Sequence, residues 1–130
     1  IINVSETNAT TLKLGFRSSN NTSGQTYIAY LFATLAGISK VGSATHSGTT
    51  NVDCGFSSGA RFVLLKRTDA TGDWYIWDSE RGIVSGNDPY LLLNSTAAEV
   101  TNTDYIDPLS SGFTITSSLT AGDYIFYAIA

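Results

Sequence analysis

The residues best suited to bind a ligand lie in and after a hairpin predicted at residues 61–79. Planar aromatic side chains beside polar groups are what sugar recognition requires, because the rings cover C–H groups and the polar groups bind hydroxyls. Core packing is the competing interpretation for each aromatic residue. The candidate ligand-binding residues are Trp74, Trp77, Tyr90, Arg67 and Asp78.

Carboxylates are densest in the same region, at Asp69, Asp73, Asp78 and Glu80. Such a group suits a glycosidase acid pair or a calcium site. However, Asp69 and Asp73 bracket a turn, where aspartate is favoured by bonds to its own backbone. We therefore expect turn and surface roles here, with calcium at this loop or at residues 87–88 as the weaker alternative. No metal or cofactor is predicted.

His46 and Cys54 are the single histidine and the single cysteine. Nothing beside His46 resembles a nucleophile elbow, and zinc requires more soft ligands than this pair supplies. Cys54 cannot form an internal disulfide and is expected to be a small buried hydrophobe. The sequence therefore predicts no catalytic residues.

Charge is sparse and excludes two classes of partner. Seven basic and eleven acidic residues give a net charge of −4, with no basic run. A protein that binds a nucleic-acid backbone or an anionic membrane surface requires clustered Lys and Arg. No apolar run has the length of a membrane span. Abundant Thr, Ser and Asn at low charge are typical of extracellular and virion β proteins.

Short runs with strand patterns, separated by turn signals, predict a sandwich or barrel. In the hairpin, Trp74 and Ile76 should face one side and Tyr75 and Trp77 the other, so that at least one tryptophan is buried. Residues 26–33 (TYIAYLFA) read as a central strand covered on both faces, in preference to a helix. Residues 11–17 are expected to form a strand, and a helical turn is plausible only over 96–100.

Residues 11–33 and 108–130 are similar at an offset of 97 residues. Gly15-Phe16 matches Gly112-Phe113, and YIxYxxA at 27–33 matches YIxYxxA at 124–130 without a gap. A chain with little more than one period is expected to come from a tandem array. The alternative is one sandwich with two similar strand pairs. In the tandem interpretation, the first copy completes a preceding unit or pairs with a neighbouring chain.

The set of motifs resembles a recurrent β domain of structural proteins from tailed bacteriophages, for which no function is assigned. The matching motifs are Gly55-Phe56, Phe62–Arg67, Trp74–Asp78, Arg81-Gly82, Tyr90–Leu93, Thr96–Glu99, Gly112-Phe113 and Tyr124–Ala130. The resemblance covers residues 27–130, and residues 1–26 look like the end of a preceding repeat or an inter-subunit strand. It implies an all-β fold, an antiparallel two-sheet jelly-roll sandwich of concanavalin-like or SPRY-like type. It also implies a place in the virion, among tail-fibre and host-recognition proteins.

Three functions follow as hypotheses. The first is a structural virion domain, in an appendage, a tail fibre or a surface decoration, that assembles with copies of itself and other virion proteins. The second is a carbohydrate-binding adhesin for host-surface glycans, which requires Trp74 or Trp77, and Tyr90, to be exposed. The third and weakest is a glycan-cleaving enzyme using Asp73, Asp78 and Glu80. We expect no enzymatic activity, no nucleic-acid partner and no membrane insertion.

Overall fold

The computed structural model describes residues 4–7, 12–14 and 22–130, and the chain divides into two compact units, Ile1–Leu31 and Phe32–Ala130. In the first unit, β1 (Val4–Thr7) pairs with β2 (Leu12–Leu14) in an antiparallel ladder. The strand predicted over 11–17 thus coincides with β2 at residues 12–14, and the rest of that prediction lies outside the described residues.

The second unit is an antiparallel two-sheet sandwich, and no helix occurs among the described residues. The five-stranded sheet has the order β3-β10-β5-β6-β7 and the three-stranded sheet the order β4-β9-β8. The predicted all-β fold is therefore confirmed. The strands are β3 (Ser39–His46), β4 (Thr50–Asp53), β5 (Phe62–Arg67), β6 (Trp74–Asp78), β7 (Leu91–Leu92), β8 (Ile106–Leu109), β9 (Gly112–Ile115) and β10 (Gly122–Ile129).

The β5–β6 hairpin forms where the sequence predicts it. Its register pairs Phe62 with Asp78 and Lys66 with Trp74. Alternate residues face the core, so Val63 and Leu65 are fully buried. The same alternation buries Trp77 and leaves Trp74 partly exposed, as expected for two tryptophans on opposite faces.

The core lies between the two sheets and is built mainly from large apolar side chains. Phe113 of β9 and Phe126 of β10 join the sheets through an edge-to-face contact. Gly112, in the predicted glycine-phenylalanine motif, lets β9 approach its neighbour, because a Cβ there would lie 2.0 Å from the Val52 carbonyl oxygen. A larger residue at this position would force the two backbones apart.

The outer edge of β3 is partly covered by the residues that precede it. The backbone N–H groups of Leu35 and Ser39 each donate to the other residue's carbonyl oxygen, at 2.9 and 2.8 Å. The Thr34 hydroxyl accepts from the Val41 N–H at 3.1 Å and lies 3.4 Å from the Val41 carbonyl oxygen. These contacts occupy backbone groups that an edge strand would otherwise present to another chain.

Two secondary-structure predictions are wrong. Residues 26–33 form no strand and are exposed, with Ile28 81% and Tyr30 80% accessible. The physical reason is that the central position for such a strand, between β3 and β5, is filled by β10, which carries the second copy of the pattern. Residues 96–100 form no helical turn, and Val100 instead bridges to Tyr90. The repeat interpretation and the boundary between residues 26 and 27 stay predictions.

Candidate functional site

The outer face of the five-stranded sheet carries an open surface with an aromatic ring, here called the Trp74 patch (Asp73, Trp74, Leu93 and Asn94). Trp74 begins β6 and is 38% exposed, and Leu93 is 60% exposed. The Leu93 N–H donates to the Trp74 carbonyl oxygen at 2.9 Å, so backbone contact holds the two residues side by side. Trp74, Leu93 and Asn94 line a shallow depression of about 290 Å³.

Polar groups of the patch are held in place by hydrogen bonds. The Asn94 Oδ1 accepts from the Trp74 N–H at 2.9 Å, and its Nδ2 donates to Asp73 Oδ1 at 2.9 Å. The Asn94 amide carries two N–H donors, and these bonds use one of them. The arrangement therefore offers an apolar ring, a carboxylate and an oriented amide on one surface, which are the groups a hydroxyl-rich ligand requires.

Trp77 and Tyr90, two of the predicted ligand-binding residues, lie in the core. Trp77 is fully buried and Tyr90 is 8% exposed, so neither has the exposure that the carbohydrate-binding hypothesis requires of a ligand-binding ring, and both follow the competing core-packing interpretation. The two rings pack at 5.8 Å in an aromatic cluster with Tyr75 and Tyr105. Burial there raises the pKa of Tyr75 to about 12. Because large rings supply most of the apolar area that a small core needs, packing takes precedence over ligand contact at these positions.

Arg67 and Asp78, the other two candidates beside Trp74, are at opposite ends of the β5–β6 hairpin. The Arg67 Nε donates to Asp69 Oδ1 at 2.6 Å, and this guanidinium holds the pKa of Asp69 below its usual value. Asp78 Oδ1 accepts the N–H groups of Glu80 and Arg81 at 3.1 and 2.9 Å. Both residues therefore fix turns. Asp78 is at the far end of the hairpin from Trp74, and Arg67, one residue after the Trp74 partner Lys66, faces the other side of the sheet, so the three do not form one site.

The carboxylates proposed for glycan cleavage are divided in the same way. Asp73 lies at the turn of the hairpin, whereas Asp78 and Glu80 lie at its other end. At about 3.3 Å per strand residue, Asp73 and Asp78 are on the order of 16 Å apart. A pair of glycosidase carboxylates lies within roughly 10 Å. In the predicted set, Asp73 therefore forms no facing pair with Asp78 or with Glu80.

His46 and Cys54 have structural surroundings. The His46 ring is 1% exposed, and its Nδ1 and Nε2 lie 3.0 Å from Thr50 Oγ1 and 3.1 Å from the Leu119 carbonyl oxygen. Since a carbonyl only accepts, Nε2 donates to the Leu119 oxygen, and the Thr50 hydroxyl, which can donate or accept, satisfies Nδ1. Burial raises the pKa of Cys54 to about 11, which keeps the thiol protonated. In the described part of the chain, no three His, Cys, Asp or Glu residues are grouped to hold a metal ion.

Asp88 is a buried carboxyl whose role sequence reasoning missed. It is fully buried, its Oδ1 accepts from the Val84 N–H at 2.7 Å, and its own N–H donates to the Thr103 carbonyl oxygen at 2.9 Å. Burial raises its pKa to about 6, even though backbone N–H groups favour the carboxylate. The signal in the sequence is Gly86-Asn87-Asp88-Pro89, for which the sequence suggests calcium binding at residues 87–88 as the weaker alternative and no role for Asp88 in the fold. Asp88 joins two loops and contributes to the fold.

A second exposed feature is the apolar stretch at residues 27–33, here called the apolar segment. In the first unit, Tyr27, Ile28, Tyr30 and Leu31 are 46%, 81%, 80% and 71% exposed. Phe32 begins the second unit, where its ring stacks on Tyr127 at 4.4 Å although it remains 52% exposed. Such a continuous run of large exposed apolar side chains is a candidate interaction surface.

The fold and these surfaces define an antiparallel β-sandwich domain that carries the Trp74 patch and the apolar segment. The chain belongs to the family described as Domain of unknown function (DUF7483), whose model matches residues 1–130. No curated protein and no solved structure matches the chain. The described residues include no helix that is both long and apolar enough to cross a membrane.

Proposed function

We propose that this chain is a structural domain of a bacteriophage particle, in an appendage, a tail fibre or a surface decoration, and that it assembles with copies of itself and with other virion proteins. The observation that carries the self-assembly is the exposed apolar segment, with Ile28, Tyr30 and Leu31 each more than 70% accessible. Burying such side chains stabilises by about 1.5–3 kcal/mol each, so an association that covers them is favoured. The place in the virion is supported by the motif resemblance alone.

The proposed role is architectural and not catalytic. The singular histidine is held by two hydrogen bonds and the singular thiol is protonated and buried. These two reactive side chains therefore have structural roles. The exposed feature that needs a partner is the apolar segment. A gradient-purified phage encoding this chain should contain it in stoichiometric amounts, and a particle without it would contradict the virion assignment.

Self-assembly is tested by light scattering after size-exclusion chromatography. We expect the chain to associate reversibly at micromolar concentration and the double variant Ile28→Asp/Leu31→Asp to be monomeric. The matched control is Leu93→Asp, which alters a residue of comparable exposure outside the segment and should leave association unchanged. A monomeric parent chain at about 100 µM, well above the micromolar Kd of weak functional contacts, would refute self-assembly.

A second candidate function, carbohydrate binding in a host-recognition adhesin, is favoured by the Trp74 patch. An exposed ring beside Asn94 and Asp73 provides stacking and hydrogen bonding on one surface. The site is smaller than the sequence predicted, because Trp77 and Tyr90 are in the core. The proposed ligand of the Trp74 patch is a host-surface glycan.

Titration with polysaccharides purified from the host surface tests this candidate. Binding should change the fluorescence of Trp74, and Trp74→Ala should weaken binding at least about tenfold, equivalent to about 1.4 kcal/mol. Val84→Ala, which alters a 47% exposed apolar residue outside both the Trp74 patch and the apolar segment, is the control and should bind normally. Equal binding by the Trp74→Ala variant would eliminate the patch as the site.

A further inference from the structure

The apolar segment is similar in sequence to β10, which the structure shows paired within the five-stranded sheet. Residues 124–130 contain most of β10, which lies between β3 and β5 in the five-stranded sheet. Residues 27–33 repeat this stretch at Tyr, Ile, Tyr and Ala positions, 97 residues earlier. The first copy is exposed and forms no strand, whereas the second is paired on both sides.

The burial of β10 shows which face of the first copy would point inward. Tyr124, Phe126 and Ala128 are 2%, 5% and 0% exposed, whereas Ile125 is 45% exposed. At the repeat offset, these three inward positions correspond to Tyr27, Ala29 and Leu31. In β10 the inward residues after the tyrosine are bulky Phe126 and small Ala128. In the first copy they are small Ala29 and bulky Leu31, so a bulky residue still lies on the inward face.

The length of the compact unit agrees with the repeat. The second unit, Phe32–Ala130, is about two residues longer than the 97-residue period and ends with the repeated stretch. The first copy therefore stands where the end of another such unit would stand. This agreement between the unit and the repeat period favours a sandwich of the same type as the partner that covers the apolar segment.

We propose that residues 27–33 form the β10-equivalent strand of a second sandwich of this family joined in tandem, between that sandwich's equivalents of β3 and β5. This inference rests on the proposed assembly role and names its partner. Adding a central strand satisfies backbone groups on both of its edges and buries every second side chain. The apolar segment is thus the closing strand of a neighbouring domain.

The experiment supplies the missing strands to the full chain. Residues 34–97 are joined in front of Ile1, which restores the repeat offset, and amide hydrogen exchange is measured over 27–33. We expect these amides to exchange at least about 100-fold more slowly than in the unextended chain, because the segment becomes part of a cooperative core. In a second chain, residues 34–123 are joined directly to Tyr27, so that residues 27–33 replace residues 124–130 as the last strand of the added sandwich.

Two single variants of the extended chains test the facing of the strand. Leu31→Asp places a charge inward and should abolish the protection, whereas Ile28→Asp faces outward and should keep it. Both residues are highly exposed in the unextended chain, so apolarity alone does not distinguish them. Protection in either extended chain, lost with Leu31→Asp alone, supports the inference.

Exchange within about threefold of the unextended chain in both extended chains overturns the inference. Equal effects of the two variants also overturn it, because a sheet strand requires alternation. Failure of self-assembly is seen separately, as a monomeric unextended chain, and so is not confused with this outcome.

Discussion

Phe113 and Phe126 meet edge to face across the sandwich, with ring centroids 5.5 Å apart and planes inclined at 81°. The first residue belongs to the three-stranded sheet and the second to the five-stranded sheet. Both side chains are at most 5% exposed. The pair is therefore a direct link between the two layers of the core.

Replacing Phe126 by Ala should cost about 3–5 kcal/mol in the free energy of unfolding, because the cavity removes ring contacts in both sheets. Urea unfolding followed by fluorescence measures this loss. The neighbouring residue Ile125 points outward and is 45% exposed, so Ile125→Ala should cost less than about 1 kcal/mol. Similar losses for the two variants would contradict the assigned facing of β10.

Gly42 leaves room for the Phe126 ring. A Cβ at residue 42 would lie 2.7 Å from the ring Cζ, which is closer than carbon atoms pack. Gly42→Ala should therefore cost about 1–3 kcal/mol through overpacking. In a Phe126→Ala background the clash is absent, so the same substitution should cost much less, and an additive double-mutant cycle would refute the contact.

Asp88 should make stability fall as the pH rises from about 4 to about 6. Its folded pKa of about 6 lies above the ordinary aspartate value of 3.8, so the folded protein binds more protons than the unfolded chain in this range. This contribution is complete below about pH 4 and lost above pH 6, and it amounts to about 3 kcal/mol at most. The lowered pKa of Asp69 acts in the opposite sense, so the comparison must be with a variant.

The appropriate variant is Asp88→Asn, which keeps an oxygen to accept the Val84 N–H. Urea unfolding at several pH values should show that the difference in stability between parent and variant changes between pH 4 and pH 6. Parallel stability curves would show that Asp88 does not titrate with a raised pKa.

Cys54 should be almost inert in the folded protein. Its side chain is buried and its pKa is raised to about 11, so little thiolate is present at neutral pH. A chromogenic disulfide reagent at pH 8 should react at least about 100-fold faster in 6 M urea than in buffer. Rapid reaction of the native chain would show that this region of the sandwich opens readily.

Sequence reasoning predicted the elements whose signals are local. Alternation and turn residues identified the β5–β6 hairpin, and the opposite facing of Trp74 and Trp77 follows from the strand period. Alternation does not say which face is inward when both carry aromatic rings. The placement of Trp77 and Tyr90 in the core therefore depends on the second sheet, which is distant in the sequence.

The apolar segment shows the same limit for secondary structure. Residues 27–33 have a strand pattern, yet a strand also requires neighbours that accept its backbone hydrogen bonds. That information resides in the pairing of β10 with β3 and β5, which the local pattern cannot contain. Asp88 was missed because its role arises from two loops that approach one another only in the folded chain.

The Thr34 hydroxyl at the backbone of Val41 also has a consequence for how many domains can join. It covers part of the β3 edge of the larger sheet, so it opposes lateral growth into a continuous amyloid-like ribbon at that edge. In a tandem arrangement, the sheets of neighbouring domains would then stay separate. Thr34→Val removes the hydroxyl and should raise thioflavin T binding on prolonged incubation, and an unchanged signal would show that another feature prevents ribbon growth.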